Sequence, residues 1–160
     1  MGQDDTKHNL LFISKYPQII HEFTDAMKDR DIEIETAING IEAAAKIKKK
    51  NYDIVITGLS LEGYNGEQII TYLNKTAPST VCIIYTTTIS SAQLHFFINE
   101  RNVFRVFLRP VDFRGAFWEA LEEAYEYHAV QVKNEEDTGA RRQEQEKQER
   151  EIEIMDQRMR

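Results

Sequence analysis

The sequence predicts an α/β protein in which a doubly wound, five-stranded parallel sheet is followed by a C-terminal helical extension. Two observations carry this prediction. Short, mostly apolar segments alternate five times with segments whose apolar residues recur at spacings of three and four, and buried parallel strands joined by crossover helices produce this alternation. After about residue 128 the chain becomes rich in Gln, Glu, Arg and Lys, so this part is not expected to join the core.

Five segments are predicted to be strands. Four of them are mostly apolar, as expected for strands buried on both faces, and they span residues 10–14, 54–57, 81–85 and 103–108. Residues 32–36 alternate between apolar and charged or polar side chains, which predicts a strand nearer the edge of the sheet. Open sheets of this kind bind ligands beyond the carboxyl ends of their strands. The residues at those ends are therefore the first candidates for a functional site.

Helices are predicted over residues 17–30, 40–49, 66–74 and 91–100 and from 113 onward, because the apolar spacing places one stripe on one helical face. We expect a break at 134–139 and then a second helix over 140–160, in which Ile152, Met155 and Met159 begin a heptad seam. Such a helix is marginal alone in water, so it is expected to pair. We predict a globular domain over 1–130, a charged helical or coiled-coil extension or linker over 131–160, and an output domain beyond Arg160.

The composition excludes several classes of protein. The chain has 160 residues, of which 41% are hydrophobic, as in soluble globular proteins. No apolar run approaches the roughly 20 residues that span a bilayer, and the polar start does not resemble a secretory leader. With a single cysteine, Cys82, no internal disulfide forms, so we expect a cytoplasmic protein without membrane contact. The formal net charge of −7 repels phosphate backbones and argues against direct binding of nucleic acid.

The motifs of common catalytic and cofactor sites are not found in the sequence. Gly58, Gly63 and Gly66 share a loop, but no Lys-Ser or Lys-Thr follows at the spacing of a phosphate-binding P-loop. The four histidines fall in separate predicted elements, without the paired spacing typical of a metal site. No histidine is predicted beside a strand-end Ser or Cys. We therefore predict that the protein is not an enzyme and holds no cofactor and no metal.

Four segments of the chain resemble the receiver domains of response regulators. LLFISKYPQII resembles their first strand and helix start, YDIVITGLSLEGYNG their phosphoacceptor strand and loop, IIYTT the end of their fourth strand, and FLRPVD their Lys-Pro turn. The resemblance covers about residues 9–127. It implies a flavodoxin-like fold with strand order 2-1-3-4-5 and a role in two-component signal transduction.

In that family a histidine kinase donates a phosphoryl group to an aspartate, with a magnesium ion held by acidic residues after the first strand. By resemblance, the acidic pair falls at Ser14 and Lys15, and the acceptor falls at Gly58. None of these residues offers a carboxylate, which is the ligand that magnesium needs. An ordinary alternative exists for two of them, since Ser14 can bond to nearby backbone and Gly58 can serve a turn that requires an unusual dihedral angle. Together they predict a degenerate pseudo-receiver.

Three further positions of the resemblance belong to the same pocket. Thr86 matches the hydroxyl residue that senses the phosphoryl group, and Arg109 stands where the family has a lysine. Val106 stands at the position of the aromatic switch residue, whose ring rotation an aliphatic side chain cannot perform. Lys15 is expected either to pair with Glu62 in place of the metal, to hold a small anion together with Arg109, or to point into solvent.

The segment 91–127 carries nine aromatic residues, more than the core is expected to absorb. If one face of the last helix packs on the sheet, Trp118 and Tyr125 turn towards the flank or solvent; the alternative is an aromatic cluster packed under that helix. Aromatic residues are enriched at protein interfaces, and in the family the fourth helix, fifth strand and fifth helix form the usual dimer surface. The predicted interaction surface comprises Phe104, Trp118, Tyr125, Ile152, Met155 and Met159.

These observations lead to one predicted function and one alternative. The prediction is a phosphorylation-independent signalling adaptor that acts through protein–protein contacts, with other signalling proteins or a fused C-terminal output domain as partners and with a homodimer as its own assembly. The alternative is a sensor of a small anion or small ligand, which would use the strand-end residues Lys15, Thr86 and Arg109.

Overall fold

A computed structural model of the chain describes residues 8–159, with side chains described up to residue 136 and at 147, 149 and 150. Along this part, five strands alternate with five helices. The elements are β1 (His8–Ile13), α1 (Pro17–Met27), β2 (Ile32–Ala37), α2 (Gly40–Lys49), β3 (Ile54–Thr57), α3 (Gly66–Thr76), β4 (Val81–Thr86), α4 (Ser91–Glu100), β5 (Val103–Leu108) and α5 (Ala116–Met159).

The five strands form one parallel sheet with the order β2-β1-β3-β4-β5. The predicted fold class and strand order are therefore confirmed. As expected from its alternating sequence, β2 is an edge strand, and its middle residues are not fully buried. Strand β5 is the other edge strand, and Leu108 in it is 51% exposed, so the expected burial of residues 103–108 on both faces is wrong. Strand β1 begins two residues earlier than predicted, because the polar His8 and Asn9 pair in register with Ile32 and Glu33 of β2.

The core lies on both faces of the sheet, because successive side chains of a strand point to opposite faces. On one face, Leu10 and Phe12 of β1 pack with Phe23 of α1 and Phe117 of α5. On the other face, Leu11 and Ile13 pack against a set drawn mainly from α2, α3 and α4: Ala43, Ile47, Ile69, Ile70, Leu73 and Phe97. Burial of each large apolar side chain contributes about 1.5–3 kcal/mol, so the two-sided core fixes the positions of the strand ends.

Side-chain caps fix where the helices begin. Asn65 and Gln68 form a capping box at the start of α3, and Ser90 and Gln93 form another at the start of α4. These caps satisfy backbone N–H groups that have no partner within the helix. Gly66 also allows a close approach of two backbones, since a Cβ there would lie 2.2 Å from the carbonyl oxygen of Gly58. The loop after β3 is therefore held tightly against the start of α3.

Helix α5 begins at Ala116 and continues to Met159, so the predicted break at residues 134–139 is wrong. A glycine costs a helix only about 1 kcal/mol relative to alanine, and helix elongation is cooperative once the helix has formed. The flanking Glu, Lys, Arg and Gln residues favour the helix on both sides. The predicted start at 113 is also early, because residues 113–115 form a turn in which the carboxylate of Asp112 accepts a hydrogen bond from the backbone N–H of Arg114.

By its own contacts the chain divides into two compact units, Met1–His128 and Ala129–Arg160. The predicted functional boundary near residue 130 stays a prediction. None of the helices in the described part combines the length and the apolar character that a membrane span requires.

Candidate functional site

Four strand ends meet at the carboxyl edge of the sheet and enclose a small cavity of about 50 Å³, which we name the strand-end pocket. Because all strands are parallel, the residues that follow them reach the same edge. The structure brings together the five residues predicted from the sequence with five others. The lining comprises Ser14, Lys15, Tyr16, Gly58, Leu59, Ser60, Tyr85, Thr86, Thr87 and Arg109.

Ser14 is held by backbone hydrogen bonds. Its N–H donates to the carbonyl oxygen of Ala37 at 3.1 Å, and its hydroxyl accepts a hydrogen bond from the N–H of Tyr16 at 3.2 Å. The side chain is buried, with 7% exposure. Ser14 thus shapes the turn between β1 and α1, as the backbone-bonding interpretation of this residue predicts.

Gly58 does not need to be a glycine for its backbone conformation. Gly63 is the glycine of the described chain with a positive φ, at 79°, whereas Gly58 lies outside that region. A Cβ at position 58 would lie 3.8 Å from the carbonyl oxygen of Tyr85 and 3.9 Å from that of Ile13, which are ordinary van der Waals contacts. The interpretation of Gly58 as a turn glycine is therefore wrong, and the position has room for a side chain.

Lys15 lies exposed at the mouth of the pocket, where its ammonium group donates a hydrogen bond to the hydroxyl of Ser60 at 3.2 Å. The expected ion pair with Glu62 is wrong for the described side chains, since no carboxylate lies within ion-pair distance of Lys15. Ser60 lies earlier in the same loop, and its hydroxyl accepts the hydrogen bond from the ammonium instead. The backbone of Glu62 is bound to α2 instead, because its carbonyl oxygen accepts a hydrogen bond from the N–H of Gly40.

Arg109 forms the opposite wall of the pocket. Its guanidinium lies over the ring of Tyr16, 4.7 Å from the centroid, and 6.0 Å from the centroid of Tyr85. The Nε atom is buried and has no hydrogen-bond partner among the described residues. Burial raises the pKa of the Tyr85 phenol, and the positive charge of Arg109 partly offsets this effect. The backbone N–H of Arg109 donates to Thr86, which ties the end of β5 to the end of β4.

The remaining two predicted positions are engaged with their surroundings. The Thr86 hydroxyl donates to the carbonyl oxygen of Thr88 at 3.3 Å. Val106 is half-buried and packs against the core cluster on the α2, α3 and α4 face. An aliphatic side chain at this position therefore contributes to packing.

The strand-end pocket carries two cationic side chains, and its lining includes no Asp or Glu. Among the residues that the structure describes, no group of three or more His, Cys, Asp or Glu side chains is placed to hold a metal ion. The aromatic walls of the pocket, Tyr16 and Tyr85, were not predicted. Tyr16 directly follows Lys15, and Tyr85 directly precedes Thr86. This adjacency to two predicted site residues was the sequence signal that could have identified them.

A larger cavity of about 340 Å³ lies between α2 and α3, and none of the predicted site residues lines it. Its lining is Ala44, Lys48, Tyr64, Gln68, Ile69 and Tyr72. None of these belongs to the strand ends where this class of sheet binds its ligands, so the smaller pocket is the better candidate site despite its size.

The predicted interaction surface divides into parts with different surroundings. Phe104 is half-buried and stacks on Tyr127 at 5.1 Å between ring centroids, whereas Trp118 lies under the guanidinium of Arg30 at 4.2 Å. The two side chains therefore contact different elements. The side chains of Ile152, Met155 and Met159 lie outside the described residues, and the heptad seam stays a prediction.

Tyr125 is not on an exposed flank, and this part of the prediction is wrong. The side chain is 7% exposed, and its hydroxyl donates to the carbonyl oxygen of Asn9 at 2.9 Å. Residues four apart share one face of a helix, so Tyr125 follows Leu121 towards the sheet. Burial raises the pKa of its phenol. Tyr125 thus belongs to the aromatic cluster under the last helix, which was the alternative interpretation.

A second polar cluster, at the amino edge of the sheet, was missed in the sequence. His128 Nε2 lies 3.1 Å from the Asp53 carboxylate, and His128 Nδ1 lies 2.9 Å from the carbonyl oxygen of Ser79. Asp53 also accepts a hydrogen bond from the N–H of Asn9. Burial raises the pKa of Asp53, but the hydrogen bond and positive charge of His128 together with the Asn9 bond outweigh burial and lower it overall. No local motif links residues so distant in sequence.

The doubly wound sheet and the pocket at its carboxyl edge define a class of α/β proteins that bind at strand ends. The family model of the response regulator receiver domain matches residues 11–115. The chain therefore belongs to the response regulator receiver domain family, and it is a receiver domain of two-component signalling.

Solved structures share the fold at low sequence identity. The signal receiver domain of an HD domain-containing protein from Pseudomonas fluorescens Pf-5 is 19% identical, with a TM-score of 0.73 and coverage of 78% of this chain and 98% of that chain. An adenylate cyclase structure from Rhodopirellula baltica is 19% identical, with a TM-score of 0.75 and coverage of 83% and 98%. A CheY-like receiver domain from Methanospirillum hungatei JF-1 is 18% identical, with a TM-score of 0.70 and coverage of 78% and 99%. Among curated proteins, none matches this chain.

Proposed function

We propose that this receiver domain is a pseudo-receiver, which signals through protein contacts and without phosphorylation of an aspartate. One observation carries the proposal: the strand-end pocket is lined by two cations and no carboxylate, although position 58 has room for a side chain. The glycine is therefore not a requirement of the fold. A change that the fold does not require, at the position where the family has its acceptor, supports a loss of that chemistry.

Two physical arguments support the absence of phosphoryl transfer. A phosphoryl group needs an acceptor oxygen, and Gly58 offers no side chain. Magnesium needs oxygen ligands, mostly carboxylates, but the positions after β1 hold the buried Ser14 hydroxyl, which already accepts a hydrogen bond, and the Lys15 ammonium, which repels a cation.

The surface built by α4, β5 and the first turns of α5 supports action through contacts. It exposes Leu108 at 51% and Leu94 and Ile98 at 40% each, together with Tyr127 beside the half-buried Phe104. Arg105 of β5 pairs with Glu123 of α5 at 2.8 Å on the same surface. Apolar side chains rimmed by charged ones are typical of protein interfaces. We propose that a second copy of the chain or a signalling partner covers this surface.

The proposal gives the chain no catalytic role, no cofactor and a cytoplasmic location. Cys82 is buried in the middle of β4, and burial raises the pKa of its thiol to about 12. A thiol with this pKa stays protonated and unreactive at neutral pH, which supports a structural role in a reducing compartment.

The decisive experiment incubates the chain with magnesium and either acetyl phosphate or beryllofluoride and follows intact mass and light scattering. We expect no added phosphoryl mass and no change of oligomeric state, while an authentic receiver domain with its acceptor aspartate reacts in the same buffer. A phosphoryl mass increase that hydroxylamine removes and that maps by peptide analysis to an Asp or Glu at the carboxyl edge would refute the proposal.

A further inference from the structure

We propose that the strand-end pocket binds a small tetrahedral oxyanion, with inorganic phosphate as its representative, through Arg109 and Lys15. The pocket thereby changes from the cation site expected of the family to an anion site. This inference goes beyond the proposed function and does not depend on it, because a pseudo-receiver can dock on partners with or without a bound anion.

The first argument is an excess of hydrogen-bond donors. A guanidinium carries five N–H donors and an ammonium three. No side-chain or backbone acceptor in the described part of the chain takes a hydrogen bond from the Arg109 guanidinium, and Lys15 is seen to donate to Ser60 alone. Both groups therefore retain donors for a ligand at the wall and the mouth of one cavity.

The second argument is charge. The ammonium of Lys15 and the guanidinium of Arg109 lie over the same Tyr16 ring, 5.3 Å and 4.7 Å from its centroid. Neither forms an ion pair with an Asp or Glu of the described residues, although the chain as a whole has a net charge of −7. An oxyanion in the pocket can accept charge-assisted hydrogen bonds from both cations.

The third argument is preorganisation. The guanidinium is fixed by stacking on Tyr16, by its closeness to Tyr85 and by the backbone bond between Arg109 and Thr86. A planar guanidinium held in one orientation loses little freedom when it binds an oxyanion. The hydroxyl residue Thr87, which also lines the pocket, can donate a further hydrogen bond.

The size of the pocket limits the ligand. A volume of about 50 Å³ is several times the roughly 10–15 Å³ that a single water molecule needs on the same measure. It suits an ion of a few non-hydrogen atoms and excludes a nucleotide. The free ion is therefore preferred over a phosphate monoester, whose organic group would have to remain outside the cavity.

The test titrates the chain with sodium phosphate at constant ionic strength, using calorimetry and phosphorus NMR. We expect saturable binding of one phosphate per chain, with a Kd of about 1 mM or lower. Arg109→Gln and Lys15→Gln should each weaken binding about tenfold or more, because each removes charged donors. Lys49→Gln removes one exposed cation from α2, far from the pocket, and should bind phosphate like the wild type. Circular dichroism confirms that each variant is folded, and Lys15→Gln, at an exposed position, serves if Arg109→Gln does not fold.

O-phosphoserine, titrated in parallel, separates a free ion from a monoester and should bind more weakly than phosphate. The inference is overturned if no saturable binding is seen in the wild type, if Lys15→Gln binds as well as Lys49→Gln, or if the monoester binds more tightly than phosphate. These results leave the phosphorylation experiment unaffected, so a failure here is distinguishable from a failure of the proposed function.

Discussion

The two edges of the sheet both carry charged side chains, but only one of them pairs its charges. At the amino edge, the Asp53 carboxylate binds His128 and the N–H of Asn9, and His8 lies 3.7 Å away. At the carboxyl edge, Lys15 and Arg109 have no carboxylate partner among the described residues. Buried polar groups that serve only structure are satisfied within the protein. We therefore expect the amino edge to contribute to stability, whereas the cations without a carboxylate partner at the carboxyl edge support the anion site proposed above.

The geometry of His128 shows how completely the amino edge is satisfied. Its two ring nitrogens face two acceptors, the Asp53 carboxylate and the carbonyl oxygen of Ser79. The two contacts join the residues just before β3 and β4 to α5.

The largest expected effect comes from breaking this cluster. Asp53→Ala should lower the free energy of unfolding by about 2 kcal/mol, because it removes hydrogen bonds to a charged group and leaves the half-buried His128 ring without its carboxylate. Urea unfolding followed by circular dichroism measures the change. Asp29→Ala, at an exposed position after α1, is the control and should change stability by less than about 0.5 kcal/mol. Equal effects of the two substitutions would contradict the comparison.

The pH dependence of the same cluster has a defined sign. The pKa of Asp53 is lower in the folded chain than its ordinary value of 3.8, so the folded state favours the ionised carboxylate. Its contribution is present in full above the unfolded pKa and is lost as pH falls below 3.8 and through the folded pKa. The stability difference between wild type and Asp53→Asn should therefore shrink between about pH 5 and pH 2. A difference that grows on acidification would exclude this account of Asp53.

The role of the exposed α4, β5 and α5 surface can be tested by comparing one exposed apolar side chain on it with another elsewhere on the chain. Leu108 lies on the proposed contact surface at 51% exposure, and Ile41 lies on α2 at 56%. If a second copy of the chain covers the surface around Leu108, Leu108→Glu should raise the dimer dissociation constant about tenfold or more, because it places a charge in an apolar contact. Analytical ultracentrifugation measures this constant. Ile41→Glu should leave it unchanged, and a monomeric wild type at high concentration would exclude the homodimer.

The carboxyl edge could be predicted from the sequence, and the amino edge could not. Parallel strands carry their following residues to one edge, so locating the strands was enough to gather Ser14, Lys15, Gly58, Thr86 and Arg109. The partners of those residues depend on loop geometry, which is why Ser60 rather than Glu62 takes Lys15. The contact between Asp53 and His128 joins the start of one strand to a helix that is distant in sequence. The spacing of apolar residues along the chain cannot predict such a contact.

The sequence also predicted the presence of helix α5 better than its buried face and its extent. The apolar spacing of α5 predicted one buried face but not the width of that face, on which Tyr125 is buried together with Phe117, Leu121 and Ala124. A stripe wider than about 100° is common on helices that face a core. The predicted break before residue 140 is absent because cooperative elongation continues the helix through it.

The smallest expected effects on stability belong to the strand-end pocket. Arg109→Gln should change the free energy of unfolding by less than about 0.5 kcal/mol in phosphate-free buffer, even though Arg109 is half-buried. The lost stacking on Tyr16 and Tyr85 is offset by removing the buried Nε–H that has no partner among the described residues. A loss of about 2 kcal/mol, as large as that of Asp53→Ala, would make the pocket a structural element and erase the difference between the two edges.

Gly58→Asp sharpens the same comparison, because the substitution adds the missing carboxylate where a Cβ has ordinary contacts at 3.8 Å and beyond. The variant should fold with a free energy of unfolding within about 0.5 kcal/mol of the wild type. It should also lose phosphate binding, since an internal carboxylate competes with the anion for Lys15 and Arg109. Gly66→Asp is the matched control, and it should fail to fold because a Cβ there would lie 2.2 Å from the carbonyl oxygen of Gly58. If Gly58→Asp unfolds the chain as well, the glycine is explained by packing, and the argument that position 58 was free to keep a carboxylate fails.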